Sequence, residues 1–218
     1  MDSVERLYQA RFSDRELKEK DAVWKEICSY LQRQIGETDT VLDIGCGFGE
    51  FLRHIKAGKK IGVDQNAGVQ PFLSEDTELH TSDSFAFRFL DDESVDVCFT
   101  SNFFEHLPDK TAMDQVLHAA YRVLKPGGRF IAIQPNILYA KESYWDFYDH
   151  HIPLTHRSCE EGFLKAGFVV SKVVPRFLPY TTKSRIPKIP ILVRLYLRFP
   201  LAWRFLGKQF LIFGLKPT

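Results

Sequence analysis

The ten residues Val41-Leu42-Asp43-Ile44-Gly45-Cys46-Gly47-Phe48-Gly49-Glu50 restrict the fold more than any other stretch of the chain. An apolar run ends in a carboxylate and then in three glycines at alternate positions. That pattern reads as a buried parallel strand entering a tight turn that opens a helix. Glycine lets the backbone come close to a ligand, and the helix N-terminus beyond it offers unpaired N–H groups. Lys60-Ile61-Gly62-Val63-Asp64 is a second short apolar strand ending in a carboxylate. Strand, turn, helix and strand form one βαβ unit, which must cross over right-handed and present its ligand at the carboxyl ends of the strands. A dinucleotide fingerprint would place its third glycine at position 50, where this chain has Glu50. That disfavours a dehydrogenase.

The remaining elements alternate in the same manner. Ser13-Asp14-Arg15-Glu16 has the form of a capping box, and Asp21 offers a second helix start. Val23, Trp24, Ile27, Cys28, Leu31 and Ile35 recur at helical spacing, with Gly36 as a stop. Residues 1–36 are therefore expected to form a helical cap on a domain spanning 37–218, with Trp24 in the core or closing over the ligand. Glu78–Thr81 and Val95–Thr100 read as strands three and four. An amphipathic helix follows, marked by Met113, Val116, Leu117, Ala120 and Leu124 and broken by Pro126-Gly127-Gly128. Arg129–Gln134 reads as strand five. Ser158-Cys159-Glu160-Glu161 suggests a helix start, and Gly167 its stop. Phe168–Val174 and Gln209–Leu215 read as the last two strands. Between them lies a basic, proline-broken insertion at about 175–207. Its segment Ile191–Leu206 is apolar apart from Arg194, Arg198 and Arg204, and a helix there should kink or break at Pro200.

At 218 residues the chain can bury a full core. Its four cysteines, Cys28, Cys46, Cys98 and Cys159, contain no CxxC pair, so neither a disulfide framework nor a zinc site is expected. With a charged start at Met1–Arg6 and no charge-free run of 18 residues, a cytoplasmic protein without a spanning helix is expected. The net charge of +1 conceals an asymmetry. Residues 162–218 carry eleven Lys or Arg and no Asp or Glu, whereas the first 161 hold 18 basic against 28 acidic residues, a balance of −10. A basic module on an acidic body suits an anionic partner or docking of the one on the other.

The order of these features closely resembles class I S-adenosylmethionine-dependent methyltransferases, and in particular the type 11 methyltransferase domain. The resemblance spans about 40–168. It rests on Asp43-Ile44-Gly45-Cys46-Gly47-Phe48-Gly49, on Gly62-Val63-Asp64, and on Asp83-Ser84 after strand three. Asn102-Phe103-Phe104-Glu105-His106-Leu107-Pro108 after strand four and Arg122-Val123-Leu124-Lys125-Pro126-Gly127-Gly128 before strand five complete it. The flanks at Tyr144–His151 and Arg176–Tyr180 resemble bacterial methyltransferases often associated with surface-glycan biosynthesis. The resemblance implies a Rossmann-like, seven-stranded, mostly parallel α/β sheet with an antiparallel last strand and helices on both faces. Its cofactor would be S-adenosylmethionine.

The resemblance also implies roles. Gly45 and Gly47 would admit the methionine and ribose parts of the cofactor, with Cys46 and Gly49 in the same loop. Asp43 would brace the loop and the cofactor's amino group. Asp64 would accept from both ribose hydroxyls, with Gln65 beside it. Asp83 would meet the adenine amino group and Ser84 a ring nitrogen, and Ser101 would offer its carbonyl to the methionine ammonium. A hydroxyl acceptor needs a base, for which His106 and His151 are candidates, with Glu105 as a further catalytic candidate. Asn136, Tyr144, Trp145, Tyr148, His150 and His156 are candidates for the acceptor site.

Residues 102–106 also resemble an ExxEH metal site of some quinone O-methyltransferases. Asn102 replaces the first Glu, so no metal is expected. No (D/N/S)PP(Y/F) motif follows strand four, so a nucleic-acid substrate is not expected. The acceptor is expected to be a sugar or lipid-linked glycan, anionic or membrane-borne, with a small phenol or quinone as the alternative. A non-catalytic cofactor-binding regulator is the rival of another class. The segment 191–206 can be a lid, a dimer face or a peripheral contact with the inner membrane surface.

Overall fold

The computed structural model describes residues 14–81, 85–180 and 189–218. Seven strands form one sheet: β1 (Thr40–Ile44), β2 (Lys59–Asp64), β3 (Thr77–Thr81), β4 (Val95–Ser101), β5 (Leu124–Pro135), β6 (Val169–Val174) and β7 (Gln209–Leu215). Their order is β3-β2-β1-β4-β5-β7-β6. The pairs from β3 to β5 are parallel, and β7 runs antiparallel to both β5 and β6. The expected Rossmann-like sheet is therefore present. The strand order reverses between β1 and β4, and the carboxyl ends of those two strands frame the crevice in which such sheets hold ligands.

Alternation along the strands builds a core on each face. Leu42, Cys98, Phe130, Ala132 and Ile212 point to one side, where they meet α3 (Lys110–Val123) and α5 (His156–Lys165) through Met113, Leu117, Cys159 and Phe163. Their neighbours Val41, Val97, Phe99, Ile131, Ile133 and Leu211 point to the other. That second face is covered by α1 (Asp14–Leu31), by the short α2 (Glu50–His54), and by α6 (Pro190–Arg198) and α7 (Pro200–Leu206). Strands buried on both faces read as near-continuous apolar runs, as in Val97–Phe99 of β4 and Phe130–Ile133 of β5. Trp24 of α1 packs edge-on against Phe99 of β4 at 6.1 Å between ring centroids, so it takes the core role of the two expected for it.

Several local expectations are corrected. Helix α1 runs through Asp21, which caps nothing. Its carboxylate instead meets Arg53 at 2.8 Å and His54 at 3.0 Å, tying α1 to α2. Ser13 of the proposed capping box lies outside the described residues. Helix α5 starts three residues earlier than Ser158 suggests. Thr155 is its cap, and Ser158 returns the bond to the Thr155 N–H. Pro126-Gly127-Gly128 lies inside β5, which begins directly after α3. There the register against β4 shifts, and Gly127 takes φ +77° while its N–H donates to the Lys216 carbonyl. The break at Pro200 is as expected, and separates α6 from α7.

Candidate active site

At the carboxyl end of β1 the chain turns through Gly45, Cys46 and Gly47. The N–H groups of Gly45 and Cys46 both donate to the Val63 carbonyl, at 2.9 and 3.0 Å, which holds the turn against β2. Thr100 of β4 donates its hydroxyl to the Ile44 carbonyl at 2.8 Å from the other side. Gly45 and Gly47 have φ of +71° and +51°, in the left-handed region that favours glycine. Their surroundings differ. A Cβ on Gly45 would fall 2.4 Å from the Phe103 ring, whereas a Cβ on Gly47 would meet nothing within 4 Å. Gly49 is backed by Leu73, and the Cys46 thiol packs against Gly62, buried and pushed up in pKa by desolvation. The glycines at 45 and 49 thus serve close packing, and Gly47 faces open space.

Asp64, at the end of β2, borders that space. It is 8% exposed, and its carboxylate accepts the N–H of Gly47 at 2.8 Å and of Asn66 at 2.9 Å. Burial raises its pKa, and the N–H groups of Asn66, Gly47 and the exposed Gln65 partly offset this. Each oxygen keeps a further lone-pair direction for a hydroxyl. Asp43 is 3% exposed and its pKa is raised well above the carboxylate range, first by desolvation and then by Glu50 and Asp64. Glu50 is itself buried and paired with Lys20 of α1 at 2.9 Å. Asp43, Asp64 and the Lys20-paired Glu50 thus gather three carboxyl groups near one glycine turn. The adenine-side candidates Asp83 and Ser84 lie outside the described residues.

Beyond β4 the backbone bends sharply at Asn102, whose φ is +50°. Its amide is clamped between Gln209 at 2.5 Å and Ser101 Oγ at 3.0 Å. Gln134 of β5 is fully buried, and its Oε1 accepts the N–H of Phe103 and Phe104. Sequence reasoning passed over Gln134, although a polar residue closing an apolar strand was a signal. Glu105 and His106 form the next turn. Glu105 is 2% exposed, its Oε2 has no partner, and burial lifts its carboxyl to about 7. Its backbone carbonyl accepts the N–H of His151 at 2.7 Å, which seats the 147–152 loop against this turn.

His106 Nδ1 lies 3.0 Å from the Asp149 carbonyl and 3.2 Å from its carboxylate. Burial alone would depress the imidazole, but the Asp149 hydrogen bond and the Glu105 and Asp149 charges raise its pKa. Two acceptors at Nδ1 keep that nitrogen protonated and leave the lone pair on Nε2. In the sequence Asp149 is one of several functional residue types in 136–158 and receives no role, because nothing local links it to a residue 43 positions earlier. Glu105, His106 and His150 bring one ligand atom each within 4.8 Å of one another, and such a set could hold a divalent ion.

The other candidates divide by exposure. His150 is buried against Tyr144, Phe147 and His106. Tyr144 is buried, with its hydroxyl on the Ile152 carbonyl. Asn136 is buried and donates toward His156 Nδ1 at 3.0 Å and to the Pro175 carbonyl at 2.9 Å. Trp145, Tyr148 and His151 are exposed, Tyr148 by 94%.

Comparison with known proteins accords with this geometry. Residues 42–132, which carry the end of β1, the glycine turn, Asp64 and the whole post-β4 turn, match the family described as methyltransferase domain. Residues 42–132 thus carry a methyltransferase domain. The cofactor of this methyltransferase domain is S-adenosylmethionine, and the open space at Gly47 beside the Asp64 carboxylate leaves room for it. The chain is 33% identical over 113 residues to the mitochondrial 2-methoxy-6-polyprenyl-1,4-benzoquinol methylase of Mus musculus, covering 51% of this chain and 30% of that protein. It is 30% identical over 153 residues to the malonyl-[acyl-carrier protein] O-methyltransferase of Erwinia billingiae, covering 66% of this chain and 57% of that one. The chain therefore spans less than two thirds of the length of these relatives. The crystal structure of an S-adenosylmethionine-dependent methyltransferase from Archaeoglobus fulgidus superposes with a TM-score of 0.67 at 23% identity, over 99% of this chain and all of that one, a likeness of fold.

Proposed function

We propose that the chain transfers the methyl group of S-adenosylmethionine to a hydroxyl of a sugar or lipid-linked glycan, with His106 as the base. The cofactor supplies a methyl group on a positively charged sulfur, open to in-line displacement. The chain's part is to align it with the acceptor and to remove a proton. The observation that carries this reading is the His106–Asp149 pair at the rim, with Nδ1 held and Nε2 left basic. Asp64 and Gly47 would hold the ribose. The Asp64 carboxylate would favour the cationic cofactor over its product, whose sulfur is uncharged. The exposed rings of Trp145 and Tyr148 on the neighbouring loop offer faces on which a pyranose can stack.

His151 was the other candidate base. Its exposure and lack of an orienting acceptor among the described contacts favour His106. A second reading has one observation in its favour: the murine relative acts on a polyprenyl benzoquinol, a ring acceptor that would suit the same aromatic rim.

The test is methyl transfer from isotopically labelled cofactor to lipid-linked glycan fractions and to a polyprenyl benzoquinol, with the product hydrolysed to locate the label. Label on a sugar oxygen is expected. Label confined to a quinol ring would overturn the glycan reading. Cofactor binding without turnover on any acceptor would favour a regulatory module.

A further inference from the structure

We propose that the outward face of α6 and α7 docks on an anionic phospholipid surface. The two helices are already seated on the protein by their inner sides. Leu197 and Trp203 are buried against Tyr30 and Phe177, and Trp203 Nε1 donates to the Tyr196 carbonyl at 2.8 Å. Arg194 forms a fork with Glu26 of α1, with both N–H···O distances at 2.7 Å. A helix packed in this way normally turns polar residues outward. Here the outward side is again apolar, exposing Ile191, Leu192, Leu195, Phe199, Leu201 and Phe205, the last by 75%.

Charge decides what covers this face. Within 190–208 the exposed charged side chains are Arg198, Arg204 and Lys208, with Arg194 held by Glu26; all are cationic, and no acidic residue follows Glu161 in the chain. A second copy of the same face would bring these cations together. An anionic bilayer meets both needs: the apolar side chains enter the boundary of headgroups and acyl chains, and the arginines reach the phosphates. Among the described residues no helix is long and apolar enough to cross a membrane, which fits helices lying in the interfacial plane. The outward side chains are not among the residues placed in the methyl-transfer site, so the inference stands or falls independently of the acceptor.

The experiment is co-sedimentation of the full chain with extruded vesicles of phosphatidylcholine, alone or with one third phosphatidylglycerol, at low salt and at about 0.5 M salt. Binding to the anionic vesicles that weakens with salt is expected. Arg198→Gln with Arg204→Gln should weaken it about 25-fold, at about 5-fold per charge. Leu201→Glu with Phe205→Glu should weaken it at least about 10-fold with an unchanged unfolding temperature, because both side chains face water in the free protein. If the glutamate pair disturbs folding, the glutamine pair carries the test alone. Absence of binding at low salt, or equal binding to neutral vesicles, overturns the proposal. So does a concentration-dependent dimer in sedimentation velocity that Phe205→Glu abolishes, since that result assigns the face to a second copy.

Discussion

Glu105 gives the most direct test of how this site is built. Its carboxyl is 2% exposed, one oxygen has no partner, and its pKa rises from 4.5 to about 7. A raised carboxyl favours the protonated form in the fold. Its contribution to stability is complete below 4.5 and is lost as the pH rises through 7. At about 1.4 kcal/mol per pH unit of separation, wild-type protein gives up about 3 kcal/mol across that window. Glu105→Gln is neutral at every pH and escapes the loss. Any fixed cost of the new amide cancels when the variant is compared with wild type at two pH values. The expected result is a stability difference that moves by about 3 kcal/mol in the variant's favour between about pH 4.5 and 8, which for a chain of this size is about 6–12 °C in unfolding temperature. Differential scanning calorimetry with a chelator present reads this directly and keeps divalent ions off the group. A difference that does not change with pH, or one that moves against the variant, would refute the burial argument for Glu105.

The other predictions concern the cofactor and the base. If Asp64 accepts from two ribose hydroxyls as proposed, each bond to a charged group being worth about 1.5–3 kcal/mol, calorimetry should find cofactor affinity lower by about 100-fold or more in Asp64→Ala. Gly47→Val adds bulk to open space at φ +51°, so stability should fall by only about 1–2 kcal/mol while cofactor binding is lost. His106→Asn should lower kcat by about 100-fold to 10,000-fold with cofactor affinity unchanged. Wild-type activity should rise with pH through a limb above the ordinary histidine value of about 6.5, since the Asp149 pair holds the imidazole proton.

What the sequence determined by itself was everything set within a few residues. The apolar runs of β1, β2 and β4, the carboxylates at two strand ends and the alternate glycines follow from local period and backbone freedom, and they mark the proposed cofactor half of the site. Tertiary structure decided the pairings that span the chain. His106 meets Asp149 only because the loop after β5 folds back on the turn after β4. Glu105 acquires its raised carboxyl from desolvation, which no spacing reveals. The apolar segment 191–206 shows the same division. Its composition announced a helix broken at Pro200, but only its packing on Tyr30, Phe177 and Glu26 separated the buried side from the side left facing water. Local propensity fixes which residues can face the same way, whereas burial and partner choice depend on contacts between segments far apart in the chain.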